Sequence, residues 1–309
     1  MLLIGAHEVR SVLDTHVLRR ALADGYAALS EGRTDVPARI MARTPGGMLG
    51  AMPGYVEGIG LAAKLVSVFP GNGQRDLPTH MAVVALFDES TGTPLALMDG
   101  EVITEMRTSA SAALACDLLA PAAATVLTIV GAGVQAAGHL TAFRSVRAWT
   151  TIRVANRTPE RARRLAERFE GVTAVDDIDE AVSGADVVAC ATDAPSAVFD
   201  PAAFTGSHVS SVGIHHELPD SLLRGALVAV QTRSSVTTPP PNGPAAVQGM
   251  DPEDVVELGE VIGGRHPGRS NRQQVTVWVS VGHAMEDVVA ARLVHDRAVA
   301  AGLGVTIDV

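Results

Sequence analysis

A glycine-rich motif directly follows an apolar, β-branched segment near the middle of the chain. Residues 125–130 form that segment, and the run from Gly131 to Ala136 has the pattern G-x-G-x-x-A. In such a strand–turn–helix unit the first glycine allows a tight turn, the second lets the backbone approach a pyrophosphate, and the alanine lets the helix pack on the strand. The start of the helix then faces the phosphates. The motif predicts a Rossmann-type dinucleotide-binding domain, and its candidate cofactor-binding residues are Gly131, Gly133, Val134 and Gln135.

The second predicted strand of this domain is followed by Asn156, Arg157 and Thr158. Sites that prefer NAD usually carry Asp or Glu in this place, because a carboxylate binds the free ribose diol. An amide, a guanidinium and a hydroxyl suit a 2′-phosphate better. We therefore predict that these three residues bind the cofactor and that NADP(H) is preferred, with NAD(H) as the alternative.

Composition and charge narrow the class of protein and its partners. With 309 residues, 47% of them hydrophobic and 3% aromatic, the chain is long enough for two α/β domains with a sizeable core. The formal net charge of −10 argues against nucleic acid and anionic membranes as partners. Cys116 and Cys190 lie in apolar surroundings without a partner motif, which predicts buried free thiols and a cytoplasmic protein. We expect no metal site, since no H-E-x-x-H motif or comparable Cys/His spacing is present.

The pattern of apolar residues changes along the chain and indicates two domains. Up to about residue 115, short strand-like runs and two helical stretches, near 8–32 and 104–119, predict a mixed, antiparallel-leaning α+β unit. From about 121 to 280, strands and helices alternate, as in a doubly wound α/β domain. The predicted strands of that part are 125–130, 151–155, 172–175, 186–191, 207–212, 227–230 and 275–279.

The domain boundaries follow from this change in pattern. We predict a Rossmann domain over residues 116–284 and a first domain of residues 1–115 that is completed by 285–309, since the amphipathic helix near 286–300 is expected to return to it. Residues 237–268 are rich in Pro and Gly, and we expect surface structure there with a short acidic helix near 252–258.

Two basic residues of the first domain stand in unusual surroundings. Lys64 lies inside a strongly apolar strand, where a lysine is unusual unless its ammonium has a partner or a function. Arg107 lies at the start of a predicted helix, where the helix dipole disfavours a cation unless it binds an anion such as a substrate carboxylate. The alternatives are a lysine that reaches solvent at a strand edge and a surface ion pair of Arg107 with Glu101 or Glu105. Arg39 is a third basic candidate.

A set of short segments occurs in the order typical of one known family. These segments are Pro37-Ala-Arg39-Ile40, Met52-Pro-Gly-Tyr55, Gly60-Leu-Ala-Ala-Lys64, Pro94-Leu-Ala-Leu-Met-Asp-Gly100, Ile103-Thr-Glu-Met-Arg107-Thr-Ser-Ala110, the glycine motif, Asn156-Arg-Thr158 and Ser280-Val-Gly-His-Ala-Met-Glu-Asp287. On these residues the chain resembles the ornithine cyclodeaminase/mu-crystallin family over nearly its whole length.

The resemblance implies a homodimer, a nicotinamide cofactor and a small amino or imino acid substrate with a carboxylate. Residues 1–115 and 285–309 would form the substrate-binding and dimerisation domain. By motif position, Arg39 and Arg107 would hold the substrate carboxylate. Lys64 would lie against the substituent of the reacting carbon.

The resemblance also assigns cofactor roles in the Rossmann domain. Gln135 would lie near the pyrophosphate or the substrate, and Thr192 would contact the cofactor at the end of the fourth strand. The segment from Asn156 to Thr158 resembles the NADPH-preferring branch, which includes mu-crystallin.

One position departs from the pattern of the cyclodeaminases. Those enzymes carry an aspartate two residues after a Val-Gly pair, whereas here Val212-Gly213-Ile214 is followed by His215. His215 is a candidate general acid or pocket residue, because imidazole titrates near neutrality. Since adjacent strand residues face opposite sides, we expect at most one of His215 and His216 to face the pocket.

The function predicted from these observations is an NADPH-dependent reduction of the C=N bond of a small α-imino carboxylate in amino-acid metabolism. The imine is either a cyclic ketimine or one formed from a keto acid and an amine. The first alternative is an ornithine or lysine cyclodeaminase-type lyase that uses bound NAD, against which the missing aspartate argues. The second is a non-catalytic, crystallin-like ligand-binding protein, against which the joint presence of Arg39, Lys64 and Arg107 argues.

Overall fold

The computed structural model describes residues 1–308 and divides the chain into two compact units. The first unit contains Met1–Arg107 and the residues from His283 onward, and the second contains Thr108–Gly282. The sequence placed these boundaries at 115 and 285. In the structure the first boundary falls inside one long helix, Gly100–Leu119, for which the sequence pattern predicted a later start.

The secondary structure comprises sixteen strands and nine α-helices among the described residues. The strands are β1 (Leu2–Ile4), β2 (Thr34–Asp35), β3 (Ile40–Thr44), β4 (Gly47–Val56), β5 (Gly60–Val68), β6 (His80–Phe87), β7 (Pro94–Asp99), β8 (Val126–Val130), β9 (Thr151–Ala155), β10 (Val172–Val175), β11 (Val187–Cys190), β12 (His208–Ser211), β13 (Leu227–Val230), β14 (Val255–Glu257), β15 (Thr276–Val279) and β16 (Val305–Thr306). The helices are α1 (Ala6–Val12), α2 (Thr15–Ser30), α3 (Gly100–Leu119), α4 (Val134–Arg144), α5 (Pro159–Ala166), α6 (Ile178–Val182), α7 (Asp220–Leu223), α8 (Leu258–Ile262) and α9 (Ala284–Ala301).

The sheet of the first unit is mostly antiparallel, with the order β16-β1-β7-β6-β5-β4-β2 and with β3 paired to β4. Only β1 and β7 are parallel. Side chains alternate between its faces, and Met52, Lys64 and Val84 stand side by side on β4, β5 and β6. This inner face is buried and α9 packs on the same three strands. Lys64 therefore lies in the centre of an apolar layer.

The helical stretch predicted near 8–32 is two helices. Asp14 separates them, because its side chain accepts a hydrogen bond from the backbone N–H of Val17 at 2.9 Å and so caps the start of α2. The terminal helix, predicted over about 286–300, is α9. Nδ1 of His283 accepts from the backbone N–H of Met285 at its start, and Gly302 ends it in the left-handed conformation.

The sheet of the second unit has eight parallel strands in the order β10-β9-β8-β11-β12-β15-β13-β14. The first five strands have the order 3-2-1-4-5 of a doubly wound dinucleotide-binding sheet. The strands predicted between residues 125 and 279 are all present to within one residue at each end. The predicted α/β fold class is therefore confirmed.

The segment 237–268 differs from its prediction. The expected acidic helix near 252–258 is a 3-10 turn, Pro252–Asp254, followed by the parallel strand β14. Val255 and Val256 are buried in that strand because an apolar, β-branched pair fits the sheet edge better than a helix does. Val247 belongs to the core of the second unit, so this segment is not purely surface structure.

The cysteines and the helices of the described residues bear on redox chemistry and on membrane insertion. Cys116 and Cys190 are both buried, as predicted, and neither forms a disulfide. Over residues 1–308, no helix is both long enough and apolar enough to cross a lipid bilayer.

Candidate functional site

Lys64 forms a buried ion pair in the first unit. Its side chain is about 3% exposed, and Nζ lies 2.9 Å from Oδ1 and 2.8 Å from Oδ2 of Asp287. Nζ also donates to Oγ1 of Thr104 at 3.4 Å. The alternative of a lysine that reaches solvent at a strand edge is therefore wrong. Lys64 is also the only lysine of the chain, a fact visible in the sequence alone that could have marked this residue as functional.

Arg107 is buried beside the same carboxylate. Its Nε donates to Oδ1 of Asp287 at 3.1 Å, and its Nη1 donates to Oε2 of Glu286. The alternative of a surface ion pair with a glutamate of its own helix is wrong, because Glu105 pairs with Arg10 at 2.7 Å. The helix begins at Gly100, so Arg107 lies about two turns from the helix start. The dipole argument used in its prediction therefore does not apply.

The two carboxylates come from the first turn of α9. Glu286 and Asp287 are both buried there, and the hydroxyl of Tyr26 donates to Oε1 of Glu286. The positive end of a helix dipole stabilises carboxylates in this position. The sequence pattern identified these residues only as part of a matching segment. Adjacent acids directly before the apolar run 288–291 were a signal that could have marked them as functional.

Burial and neighbouring charges shift the pKa values of this cluster. Burial, together with the charge of Arg107, lowers the pKa of Lys64 to about 8, although Asp287 opposes the shift. Burial would raise the pKa of Asp287, but Lys64 and Arg107 outweigh it and the pKa is lowered. Burial also disfavours the charge of Arg107, but the nearby carboxylates Asp287 and Glu286 raise its pKa. The pair Lys64–Asp287 is thus ionised at neutral pH, with an ammonium that loses its proton near pH 8.

Arg39 belongs to the same electrostatic cluster. It lies in the segment between β2 and β3 and is partly buried. Burial and the charge of Arg107 lower its pKa, while Asp287 and Glu286 act in the opposite direction. Three cations therefore face two carboxylates, which leaves a net charge of one positive unit. This arrangement is suited to binding one further carboxylate. We call it the cation cluster, and it consists of Arg39, Lys64, Arg107, Glu286 and Asp287.

The glycine motif in the second unit has the geometry of a phosphate-binding loop. Gly131 has φ +128°, and its N–H donates to the carbonyl of Ala155 at 2.8 Å. A Cβ on Gly131 would lie 2.5 Å from the carbonyl oxygen of Ala191, so no other residue fits there. Gly133 is extended and a Cβ on it would meet nothing within 4 Å. The fold itself does not require glycine at 133, whereas close approach of a pyrophosphate does.

Residues at the start of α4 complete this loop. Val134 is apolar but 66% exposed, so it offers hydrophobic surface that a bound ligand would cover. The carbonyl oxygen of Gln135 lies 2.7 Å from Nδ1 of His139, one turn further along. His139 is buried, and burial lowers its pKa to about 4. The first turn of α4 is thus fixed by a neutral histidine, and the loop residues fit a dinucleotide.

The residues predicted to select the cofactor lie between β9 and α5. Nδ2 of Asn156 donates to the carbonyl of Thr158 at 3.0 Å. Thr158 is the N-cap of α5, but its hydroxyl makes no capping hydrogen bond. Arg157 is exposed, and no acidic side chain of residues 1–308 forms an ion pair with it. A guanidinium, a hydroxyl and a helix start therefore stand together at the end of the second strand, in an arrangement suited to an anion.

A buried carboxylate that the sequence did not single out lies at the carboxyl ends of β11 and β12. Both the N–H and the hydroxyl of Thr192 donate to Glu217, at 3.1 and 2.6 Å. The hydroxyl of Ser211 and the N–H of Gly213 also donate to it, at 2.6 and 2.8 Å. Thr192 itself lies in the loop after β11 rather than in the strand. No signal in the sequence marks Glu217, because its partners come from separate segments.

His215 lies on the surface of the second unit. Its side chain is 50% exposed, and Nε2 lies 3.5 Å from Oδ1 of Asp193. Neither His215 nor His216 belongs to a strand, and both are exposed. The expectation that at most one of them faces a pocket rested on strand alternation, which is absent here, so that argument does not apply and the expectation stays a prediction. Among residues 1–308 there is no group of three or more His, Cys, Asp or Glu side chains that could hold a metal ion.

Comparisons with known proteins identify the family of this chain. The sequence model of the ornithine cyclodeaminase/mu-crystallin family matches residues 2–302. Ketimine reductase mu-crystallin of Mus musculus is 40% identical over 257 residues, which cover 81% of this chain and 80% of the mouse protein.

Two solved structures are similar over the whole chain. Delta(1)-pyrroline-2-carboxylate reductase of Thermococcus litoralis, in complex with NADH and L-proline, has a TM-score of 0.92 and 29% identity, covering 99% of this chain and 100% of that chain. An archaeal alanine dehydrogenase dimer with bound NAD has a TM-score of 0.89 and 26% identity, covering 100% and 99%.

Proposed function

The chain belongs to the ornithine cyclodeaminase/mu-crystallin family, and we propose that it is an oxidoreductase that reduces the C=N bond of a small α-imino carboxylate with a nicotinamide cofactor. The observation that carries this proposal is the cation cluster, in which a buried lysine with a pKa of about 8 adjoins two arginines. A mouse ketimine reductase and an archaeal imino-acid reductase are among the relatives.

The cation cluster binds the carboxylate of the substrate. Its net charge of one positive unit is neutralised by one incoming carboxylate, and Arg39 and Arg107 supply the planar donors that match such a group. Glu286 and Asp287 hold the guanidinium of Arg107 in place. A fixed carboxylate orients the carbon–nitrogen bond, which hydride transfer needs.

Lys64 supplies the proton that the imine nitrogen takes up. When bound, a reduced nicotinamide supplies the hydride for the imine carbon. The ammonium of Lys64 donates a proton to the nitrogen, so that hydride and proton together give the amine. A pKa of about 8 lets Lys64 act as an acid near neutral pH, whereas an unshifted lysine would hold its proton more tightly. Asp287 keeps the ammonium oriented after a new proton arrives from solvent.

The cofactor is NADP(H) rather than NAD(H). Arg157 supports this preference because it is exposed and has no acidic partner in the described part of the chain, and Thr158 adds a hydroxyl at the start of α5. Asp or Glu, which would bind a ribose diol and repel a 2′-phosphate, is absent from this turn. Gly131, Gly133, Val134 and Gln135 hold the pyrophosphate, and Thr192 contacts the cofactor at the end of β11.

The protein is a homodimer that associates through the outer face of the first unit's sheet. That face carries exposed apolar side chains on neighbouring strands, namely Ile40, Leu49, Leu65, Met81 and Val83. A contiguous apolar patch of this kind is typical of an interface. One of the structural relatives is an archaeal alanine dehydrogenase dimer.

The reductase is favoured over a cyclodeaminase-type lyase by position 215. An exposed imidazole stands there, where a lyase carries an aspartate that handles a cationic amine. His215 keeps the two roles predicted for it from the sequence, a residue that shapes substrate specificity or a general acid.

The proposal is tested by following NADPH absorbance with purified protein and a panel of cyclic imino acids and keto-acid/amine pairs. Ornithine and lysine are run in parallel with NAD and an ammonia assay. Consumption of NADPH with an imine supports the reductase. Release of ammonia without net change of the cofactor would replace it with the lyase.

A further inference from the structure

Both carboxylate oxygens of Glu217 are fully engaged inside the second unit. The side chain is completely buried, and each oxygen accepts one backbone N–H and one hydroxyl. Oε1 binds the N–H of Gly213 and the hydroxyl of Ser211. Oε2 binds the N–H and the hydroxyl of Thr192. All four donors are neutral, and no basic side chain of residues 1–308 pairs with Glu217.

These donors belong to two neighbouring parallel strands. Thr192 follows β11, and Ser211 and Gly213 lie at and after the end of β12. The backbone carbonyl of Glu217 also accepts from the N–H of Val198 at 3.0 Å, so the residue fixes the loop after β11 at a second point. A Cβ on Gly213 would lie 2.7 Å from Oε1, which leaves no room for another residue there. Glu217 therefore ties the two strand ends together.

An unpaired carboxylate in a protein interior is costly for stability. Burial accordingly raises the pKa of Glu217. An apolar side chain would serve mere packing as well, so a carboxyl group with four convergent donors indicates a function for the geometry that it imposes. The carboxyl ends of the strands are where doubly wound sheets bind their ligands.

We propose that Glu217 is a positioning residue for the nicotinamide half of the cofactor, because it locks the segments at Thr192 and Gly213 into the conformation that receives it. This inference rests on the proposed function. The glycine motif after β8 accounts for the pyrophosphate, and the turn after β9 for the adenosine ribose. The strand ends on the other side of β8, those of β11 and β12, are left for the other half of the dinucleotide.

A glutamine at this position cannot replace the carboxylate. Each oxygen of Glu217 accepts a backbone N–H, which cannot rotate to become an acceptor. An amide has only one oxygen, so its NH₂ group must oppose either the N–H of Thr192 or that of Gly213. One of the two segments must then move. The substitution Glu217→Gln thus changes the geometry of the strand ends while it keeps the size of the side chain.

Asp186 provides a matched control at the opposite ends of the parallel strands in the same sheet. Its Oδ2 accepts from the N–H groups of Thr125 and Val126, at 2.7 and 2.9 Å, at the beginning of β8. A single oxygen of Asp186 accepts both N–H groups, so an amide could replace it. The control is therefore Asp186→Ala, which removes this carboxylate-to-backbone contact at the amino ends of the strands. Ser211→Ala is a milder second variant, since it removes only one hydroxyl donor from Glu217.

The test measures the Kd of NADPH by protein fluorescence and the thermal unfolding midpoint for the full-length wild type and the three variants. We expect Glu217→Gln to raise the Kd about tenfold, Ser211→Ala to raise it less, and Asp186→Ala to lower the midpoint with the Kd unchanged. If Glu217→Gln does not fold, a raised Kd in folded Ser211→Ala supports the inference and an unchanged one overturns it.

Two other kinds of result would also overturn the inference. The first concerns only the role of Glu217, and the second concerns the proposed function. An unchanged Kd in folded Glu217→Gln, or an equal rise in Asp186→Ala, means that Glu217 only stabilises the fold. A wild type that binds neither NADPH nor NADH contradicts the proposed function itself.

Discussion

The ammonium of Lys64 lies within 2.9 Å of both carboxylate oxygens of Asp287, and both side chains are nearly completely buried. A buried pair of this kind rarely adds stability over apolar residues of similar size, because both charges lose their hydration. Its presence at the centre of an apolar sheet face is better explained by chemistry. The pair keeps the only lysine of the chain ready to give up a proton near pH 8.

Replacing Lys64 with methionine removes the proposed acid and keeps most of the side-chain volume. We expect Lys64→Met to lower kcat by a factor of about 10² to 10⁴, the usual contribution of a general acid. Binding of NADPH, measured by fluorescence, remains within about twofold of the wild type because the glycine motif lies in the other unit. Turnover at the wild-type rate would remove Lys64 from the mechanism.

If Lys64 is the acid, the activity should depend on its protonation. Burial and the charge of Arg107 lower its pKa to about 8. The ammonium is therefore present below pH 8 and is lost as the pH rises, so kcat/KM falls about tenfold per unit above pH 8. The charged neighbours Asp287, Arg107 and Arg39 set this value.

The same titration can be observed directly. Because Lys64 is the only lysine, labelling with ζ-¹⁵N-lysine gives one side-chain NMR signal whose titration should match the kinetic profile. In Asp287→Asn both transitions move to lower pH, since Asp287 raises the pKa of Lys64. A signal that titrates at the ordinary lysine value would contradict the assignment.

The role proposed for Arg39 is binding of the substrate carboxylate. Arg39→Gln removes a charge-assisted interaction, and we expect KM for an imino acid to rise about tenfold to a hundredfold with a smaller change in kcat. Arg43→Gln, an exposed arginine of β3, is the control and leaves KM unchanged. An equal effect of the two substitutions would show that only the net charge of the domain matters.

The proposed preference for NADP(H) assigns Arg157 to the 2′-phosphate. We expect Arg157→Glu to raise the Kd of NADPH by at least about tenfold and to change the Kd of NADH little, because the introduced carboxylate repels a 2′-phosphate and suits a ribose diol. Arg272→Glu, in the exposed loop before β15, controls for net charge. A wild type that binds NADH more tightly than NADPH would refute the preference.

The proposed dimer interface is the outer sheet face of the first unit. Leu65→Glu places a charge in the middle of this apolar patch and should convert the dimer to a monomer in light scattering after gel filtration. Leu77→Glu changes an exposed leucine in the segment before β6 and should leave the dimer intact. The interface lies elsewhere if Leu65→Glu remains dimeric.

Local patterns in the sequence predicted much of the fold. The strands of the second unit follow from short apolar runs between turn signals, and the glycine motif follows from the order of strand, turn and helix. The strand β14 was not predicted, because Val255 and Val256 lie beside acidic residues and their place in the sheet depends on distant strands. Asp14 was also overlooked as the start of a new helix.

The candidate site was only partly predictable for a similar reason. Lys64 and Arg107 stand out because their residue type contradicts their local surroundings. Their partner Asp287 is 223 and 180 positions away in the chain, so only the folded structure brings the three together. Glu217 has no unusual local context at all, and its importance follows entirely from the four donors that converge on it.

The most direct test of the central claim is a transfer experiment with a labelled cofactor. Purified protein is incubated with a small cyclic imino acid and NADPH that carries deuterium at the hydride position, and the amino-acid product is analysed by mass spectrometry. A C=N reductase gives one deuterium per product molecule and one oxidised cofactor for each. An unlabelled product, or ammonia release without net oxidation of the cofactor, would contradict the assignment.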